Sequence, residues 1–100
     1  MIEGTRVKFR EWDCIVQCHT YSTNDRLAIS LVDANTGEPV AFATKNLEEN
    51  IPKDCVMIKD YSENKGMVES LTNAGILEDT GIRIKTGYVE LNLCRIVKED

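Results

Sequence analysis

Between Arg26 and Thr44 the chain runs through two stretches of strict alternation separated by a turn, and this pattern constrains the fold more than any other. Leu27, Ile29 and Leu31 alternate with Ala28, Ser30 and Val32. After Asp33-Ala34-Asn35-Thr36-Gly37-Glu38, Val40, Phe42 and Thr44 alternate with Ala41 and Ala43. A period of two with an Asn/Gly-containing turn predicts two antiparallel strands joined by a hairpin. Pro39 is compatible with the start of the second strand, where no ladder donor is needed.

The same period recurs on both sides. Val7 and Phe9 predict a first strand, and Cys14, Val16 and Cys18 share one face of a second, with Ile15, Gln17 and His19 on the other. Trp12, Ile15, Val16 and His19 also fit helical spacing, but the β-branched residues and the turn-rich flank Ser22-Thr23-Asn24-Asp25 favour a strand. Cys55-Val56-Met57-Ile58 reads as a short buried strand after Pro52. Ile82 and Ile84, then Val89, Leu91, Leu93 and Arg95, complete the set, with Glu78-Asp79-Thr80-Gly81 read as a loop and Thr86-Gly87 as a turn.

One helix is expected, over roughly 64–74. Met67, Val68, Leu71 and Ala74 form its apolar stripe. Ser62 or Asn64 can cap its start, Asp60 and Glu63 sit near the positive end of its dipole, and Gly75 with Ile76 suits a Schellman stop. The sum is an α+β domain spanning 1–100: an antiparallel sheet of about six or seven strands with one helix on one face.

The chain has 100 residues with 12 Lys+Arg against 17 Asp+Glu, a net charge of −5, and 42% apolar residues. That length suits one core and excludes multi-domain machines. The opening Met1-Ile2-Glu3-Gly4-Thr5-Arg6 has no apolar core of a signal peptide, and no apolar run approaches the roughly 20 residues of a membrane span. A soluble cytoplasmic protein is expected, with Cys14, Cys18, Cys55 and Cys94 reduced and serving as small buried hydrophobes.

Chemistry-bearing patterns are sparse. In a strand, Cys14 and Cys18 lie about 13 Å apart, too far for a disulfide or a shared tetrahedral ion. Cys18 and the single histidine, His19, point to opposite faces and cannot pair as nucleophile and base. The carboxylate pairs Glu48-Glu49 and Glu78-Asp79 lie in polar stretches, where solvation leaves them ordinary. No phosphate-cradling, serine-nucleophile or zinc-protease motif occurs, so no catalytic residue, cofactor or metal is assigned.

The acidic excess is concentrated. From Leu47 to Thr80 eight acids face three bases, while the remaining residues balance at nine of each. Within that span, Asp60-Tyr61-Ser62-Glu63-Asn64 places two carboxylates, an aromatic ring and two short polar side chains at a strand-to-helix junction. Helix capping with Tyr61 packed beneath explains it structurally, and capping also leaves carboxylates available for contact. Trp12, near a turn, suits either a partner anchor or a cover for the core edge.

Four stretches carry a resemblance: Arg26-Leu27-Ala28-Ile29-Ser30-Leu31-Val32-Asp33, Gly37-Glu38-Pro39-Val40-Ala41, Lys59-Asp60-Tyr61-Ser62-Glu63-Asn64 and Gly87-Tyr88-Val89-Glu90. Together they resemble a family of small bacterial proteins of unknown function, common on plasmids, conjugative elements and phages of gut bacteria. The resemblance implies a setting and no activity. The expectation is a non-enzymatic binding or regulatory protein using an acidic face (Asp60, Tyr61, Glu63, Glu78 and Asp79) against a basic protein such as a host defence nuclease. Two alternatives stand beside it: a cysteine-dependent enzyme or redox protein built on one of the four thiols, and a nucleic-acid module using Lys8, Arg10, Arg83, Lys85 and Arg95.

Overall fold

The computed structural model describes residues 2–46 and 51–97. Seven strands, β1 (Arg6–Phe9), β2 (Trp12–Thr20), β3 (Leu27–Asp33), β4 (Pro39–Phe42), β5 (Cys55–Lys59), β6 (Leu77–Thr86) and β7 (Val89–Ile96), accompany one helix, α1 (Met67–Asn73), and one 3₁₀ turn (Ser62–Asn64). The α+β class expected from the pattern is the class observed. The expected single sheet is instead two antiparallel sheets, ordered β1-β2-β3-β4 and β5-β7-β6.

The division arises just after β4, where the backbone changes partner. Ala43 still donates its amide to Ile29 O (2.9 Å), but its carbonyl accepts from Lys59 N (2.9 Å), and Lys45 N donates to Met57 O (3.0 Å). Thr44 forms an isolated bridge with Ile58. Its hydroxyl oxygen takes over on the β3 side, accepting the Ile29 amide (3.1 Å) and bonding the Tyr21 hydroxyl (2.9 Å). A buried threonine thus satisfies a backbone donor that the departing strand would leave orphaned.

Alternation places the core. Val7, Phe9, Cys14, Val16, Ile29 and Leu31 from the first sheet meet Val56, Ile58, Cys94, Met67 and Leu71. The other face of the second sheet buries a smaller cluster of Cys55, Met57, Leu91 and Leu93. Burial on both faces explains why Cys55-Val56-Met57-Ile58 is apolar without interruption.

The helix is shorter than the apolar stripe suggests, because the chain first makes the 3₁₀ turn and only then, through left-handed Gly66 (φ 95°), enters α1. Neither Ser62 nor Asn64 caps it. The amides of Gly66 and Val68 instead donate to the two carboxylate oxygens of Asp60 (2.9 and 2.8 Å), six and eight residues upstream. The C-terminal stop forms as expected: Gly75 (φ 79°) donates to Thr72 O (2.9 Å) and Ile76 to Leu71 O (3.3 Å), with Leu71 and Ile76 both fully buried.

The stretch Glu78–Gly81, expected as a loop, belongs to β6. Its pairing with β7 slips between Asp79 and Arg83. Inside the bulge Gly81 N donates to Asp79 Oδ1 (3.0 Å) and Ile82 N to Thr80 Oγ1 (3.2 Å). Short side chains that satisfy neighbouring amides give a bulge the composition of a loop.

Replacing Thr44 with valine keeps its shape and removes the acceptor for Ile29 N. The variant should lose about 1–3 kcal/mol in denaturant unfolding, and Tyr21→Phe, which removes only the second bond, should lose less.

Candidate functional site

The end of β5 delivers Asp60 to the base of a short segment that three elements hold in place. Asp60 fixes its far end by accepting from the Gly66 and Val68 amides at the start of α1. Asn64, buried to 4% exposure, donates its side-chain amide to Phe42 O on β4 (2.7 Å). Arg10, at the tip of the β1–β2 hairpin, donates Nη2 to Ser62 O (3.1 Å) and Nε to Lys65 O (3.3 Å). Within the segment Asn64 N donates to Tyr61 O (2.8 Å) and Lys65 N to Ser62 O (3.1 Å).

Two non-glycine residues of this junction are left-handed: Arg10 (φ 56°) and Ser62 (φ 52°). Arg10 is the first of two turn residues between the paired Phe9 and Trp12. Its guanidinium lies 5.3 Å from the Phe9 ring centroid, and Phe9 stacks with Trp12 at 6.5 Å. Trp12 covers the edge of the core there while 38% of it remains exposed.

The five residues expected to form an acidic face divide into three groups. Asp60 is engaged by backbone amides. Tyr61 is half-buried and Glu63 exposed, with no ion pair between Glu63 and any described residue. Glu78 and Asp79 occupy opposite faces of β6: Glu78 opposes Arg95, and Asp79 opposes the buried core residue Cys94. Each carries an arginine, Glu78 Oε1 lying 2.8 Å from Arg95 Nη2 and Asp79 making two 3.1 Å contacts with Arg83. Asp79 ionises below the usual carboxylate range, chiefly because of the Gly81 amide and then Arg83, against an opposing effect of partial burial. The five therefore do not present one surface. The pair Glu48-Glu49 lies outside the described residues.

The basic residues of the nucleic-acid alternative are likewise dispersed, and four of the five are engaged. Lys8 pairs with Asp13 (3.5 Å), Arg10 with two carbonyls, and Arg83 and Arg95 with the acids above. Lys8 and Arg10 belong to the first hairpin, whereas Arg83, Lys85 and Arg95 lie on the second sheet.

All four cysteines are free thiols, three of them buried and Cys18 intermediate. Burial pushes each thiol upward, and nearby carboxylates add to the effect: Asp33 at Cys14, Glu3 at Cys18, Asp54 at Cys55. Cys94 is pushed up to about 12, first by burial and then by Asp79, with Asp60 contributing. A nucleophilic cysteine needs the opposite environment. Among the described residues, no three His, Cys, Asp or Glu side chains are grouped to hold a metal ion.

The tethers by Arg10 and Asn64 escape the sequence reading. Neither has a local signal, because each joins segments more than 20 residues apart. The Asp60 bonds are closer to what the sequence shows, a carboxylate just ahead of a helix.

Asp60→Ala should lower stability by about 1–3 kcal/mol, since two helix amides lose a charged acceptor; thermal melts against wild type measure it. Cys94 stays protonated in the folded chain while an unfolded thiol ionises near 9.0. Its contribution is therefore complete below that pH and declines as pH rises toward 12. A stability-versus-pH series should show an alkaline loss that is smaller in Cys94→Ala.

Comparison with family models, with curated proteins and with solved structures finds no match to this chain in any of the three.

Proposed function

We propose that the protein is a non-enzymatic, protein-binding component of a bacterial mobile genetic element, acting in the cytoplasm on a partner with a basic surface. Its contact surface is the tethered segment beginning at Tyr61, with Glu63 as the outward carboxylate and Glu69 of α1 as a second exposed acid. One observation carries this reading. The side chains of Asp60 and Arg10, together with the bond of the segment's own Asn64 to β4, fix a segment of a few residues, while Glu63 takes no part in that fixing. A surface ordered before binding spends less affinity on ordering during it.

The reading is narrower than the acidic face suggested by composition, because Asp60, Glu78 and Asp79 have internal partners. The raised thiols support a binding role over a cysteine-based enzyme. A host defence nuclease is the partner class this reading favours, because a protein that binds nucleic acid carries the basic surface that carboxylates can occupy.

Affinity capture from a bacterial host lysate, with the protein immobilised, tests the proposal. Wild type should retain a basic nucleic-acid-binding protein at low salt and release it at high salt. Glu63→Lys should reduce that retention about tenfold or more, as like-charge juxtaposition predicts, while Glu78→Gln leaves it unchanged. Retention indifferent to both salt and Glu63→Lys would overturn the assignment of the surface.

A further inference from the structure

We infer that Arg10 is the latch of a conformational device: its side chain holds the 3₁₀ turn closed in a strained form, and the turn opens locally when the latch is lost. The inference rests on the reading of the Tyr61 segment as the contact surface and adds how its order is controlled.

Ser62 and Arg10 are L-residues with left-handed backbones, a conformation that crowds Cβ against the carbonyl and persists only where surrounding contacts enforce it. At this junction the two strained residues hold each other. The Arg10 guanidinium bonds Ser62's own carbonyl, and its second bond reaches Lys65 O, just past the last residue of the turn. The acceptors are neutral although the guanidinium donor is charged, both bonds are solvent-exposed, and at 3.1 and 3.3 Å they lie at and just beyond the long end of the usual range.

The flanking tethers differ in kind. Asn64 is buried and bonds β4 at 2.7 Å, and Asp60 uses a charged acceptor at 2.8 and 2.9 Å. The exposed Arg10 contact is thus the weakest of the three and the first to break. When it breaks, Ser62 can relax to a right-handed or extended backbone, with Asn64 as pivot and left-handed Gly66 (φ 95°) as hinge, while α1 stays docked through Met67 and Leu71. Closing the latch restores the ordered surface, so Arg10 controls presentation of Glu63 as a positioning residue without itself touching a partner.

Native-state amide hydrogen exchange on the free protein tests the device without any partner. In Arg10→Ala the amides of Asn64 and Lys65, which close the turn, should exchange about tenfold faster, the effect of losing one or two exposed hydrogen bonds. The amides of β2 and β3 should keep their wild-type rates. Ser62→Gly removes the strain that drives opening, so the Arg10→Ala effect should shrink in that background, a coupling that a double-mutant cycle measures. Unchanged exchange at Asn64 and Lys65, equal acceleration throughout the molecule, or strictly additive effects of the two substitutions would each overturn the latch. Exchange reports the free chain and capture reports the partner. Loss of capture in Glu63→Lys with no latch in exchange leaves the contact surface standing alone, and the converse leaves the latch without that surface.

Discussion

The carboxylate of Asp60 is the interaction on which the functional end of the molecule depends. It lies where β5 stops and the chain must turn back across the sheet as a helix of only seven residues. A helix that short has most of its amides unsatisfied at one end or most of its carbonyls at the other, and in isolation it does not form. Two of its leading amides are given a charged acceptor by a residue already fixed by strand pairing. Met67 and Leu71 are then committed to the core, and the backbone between Asp60 and Gly66 must span a fixed gap. The 3₁₀ turn, the buried Asn64 and the left-handed Ser62 are the solution to that span.

The elements most visible in the sequence are those governed by local period. Every strand expected from alternation is present, and the Gly75-Ile76 stop forms with both of its backbone bonds. What alternation could not convey was partnership. Whether Ala43–Lys45 stays beside β3 or moves to β5 depends on a hydroxyl at Thr44 meeting an amide 15 residues away. The bulge in β6 was hidden for a different reason: Asp79, Thr80 and Gly81 have turn chemistry, and the strand uses that chemistry within its own pairing. The β1–β2 turn carries no glycine or asparagine to mark its left-handed first residue, so the role of Arg10 emerges only in three dimensions.

The acidic third of the chain shows how composition and surface differ. Glu78 and Asp79 are neighbours in sequence, yet a strand turns them to opposite faces, where each meets an arginine from the same two-stranded hairpin. Those bases are counted in the electrically neutral remainder of the chain, and folding brings them to the acids. Asp60 is taken up by two backbone amides, which no count of charges records. A contiguous excess of one sign in sequence is therefore a weak guide to a field in space, and Glu63 emerges as the carboxylate of the suggestive segment that remains outward.

Strand β6 forms an outer margin of the second sheet, and ten residues of uninterrupted margin would offer unpaired amides and carbonyls as a template to any neighbouring chain. The bulge between Asp79 and Arg83 interrupts that template. It breaks the register of the margin at its middle, and the amides of Gly81 and Ile82 are already committed to side chains of the same strand. The protein thus carries an exposed isoleucine, Ile82, at the very place where strand-to-strand aggregation would be expected to nucleate, and the irregular backbone beneath it denies a second strand a straight partner.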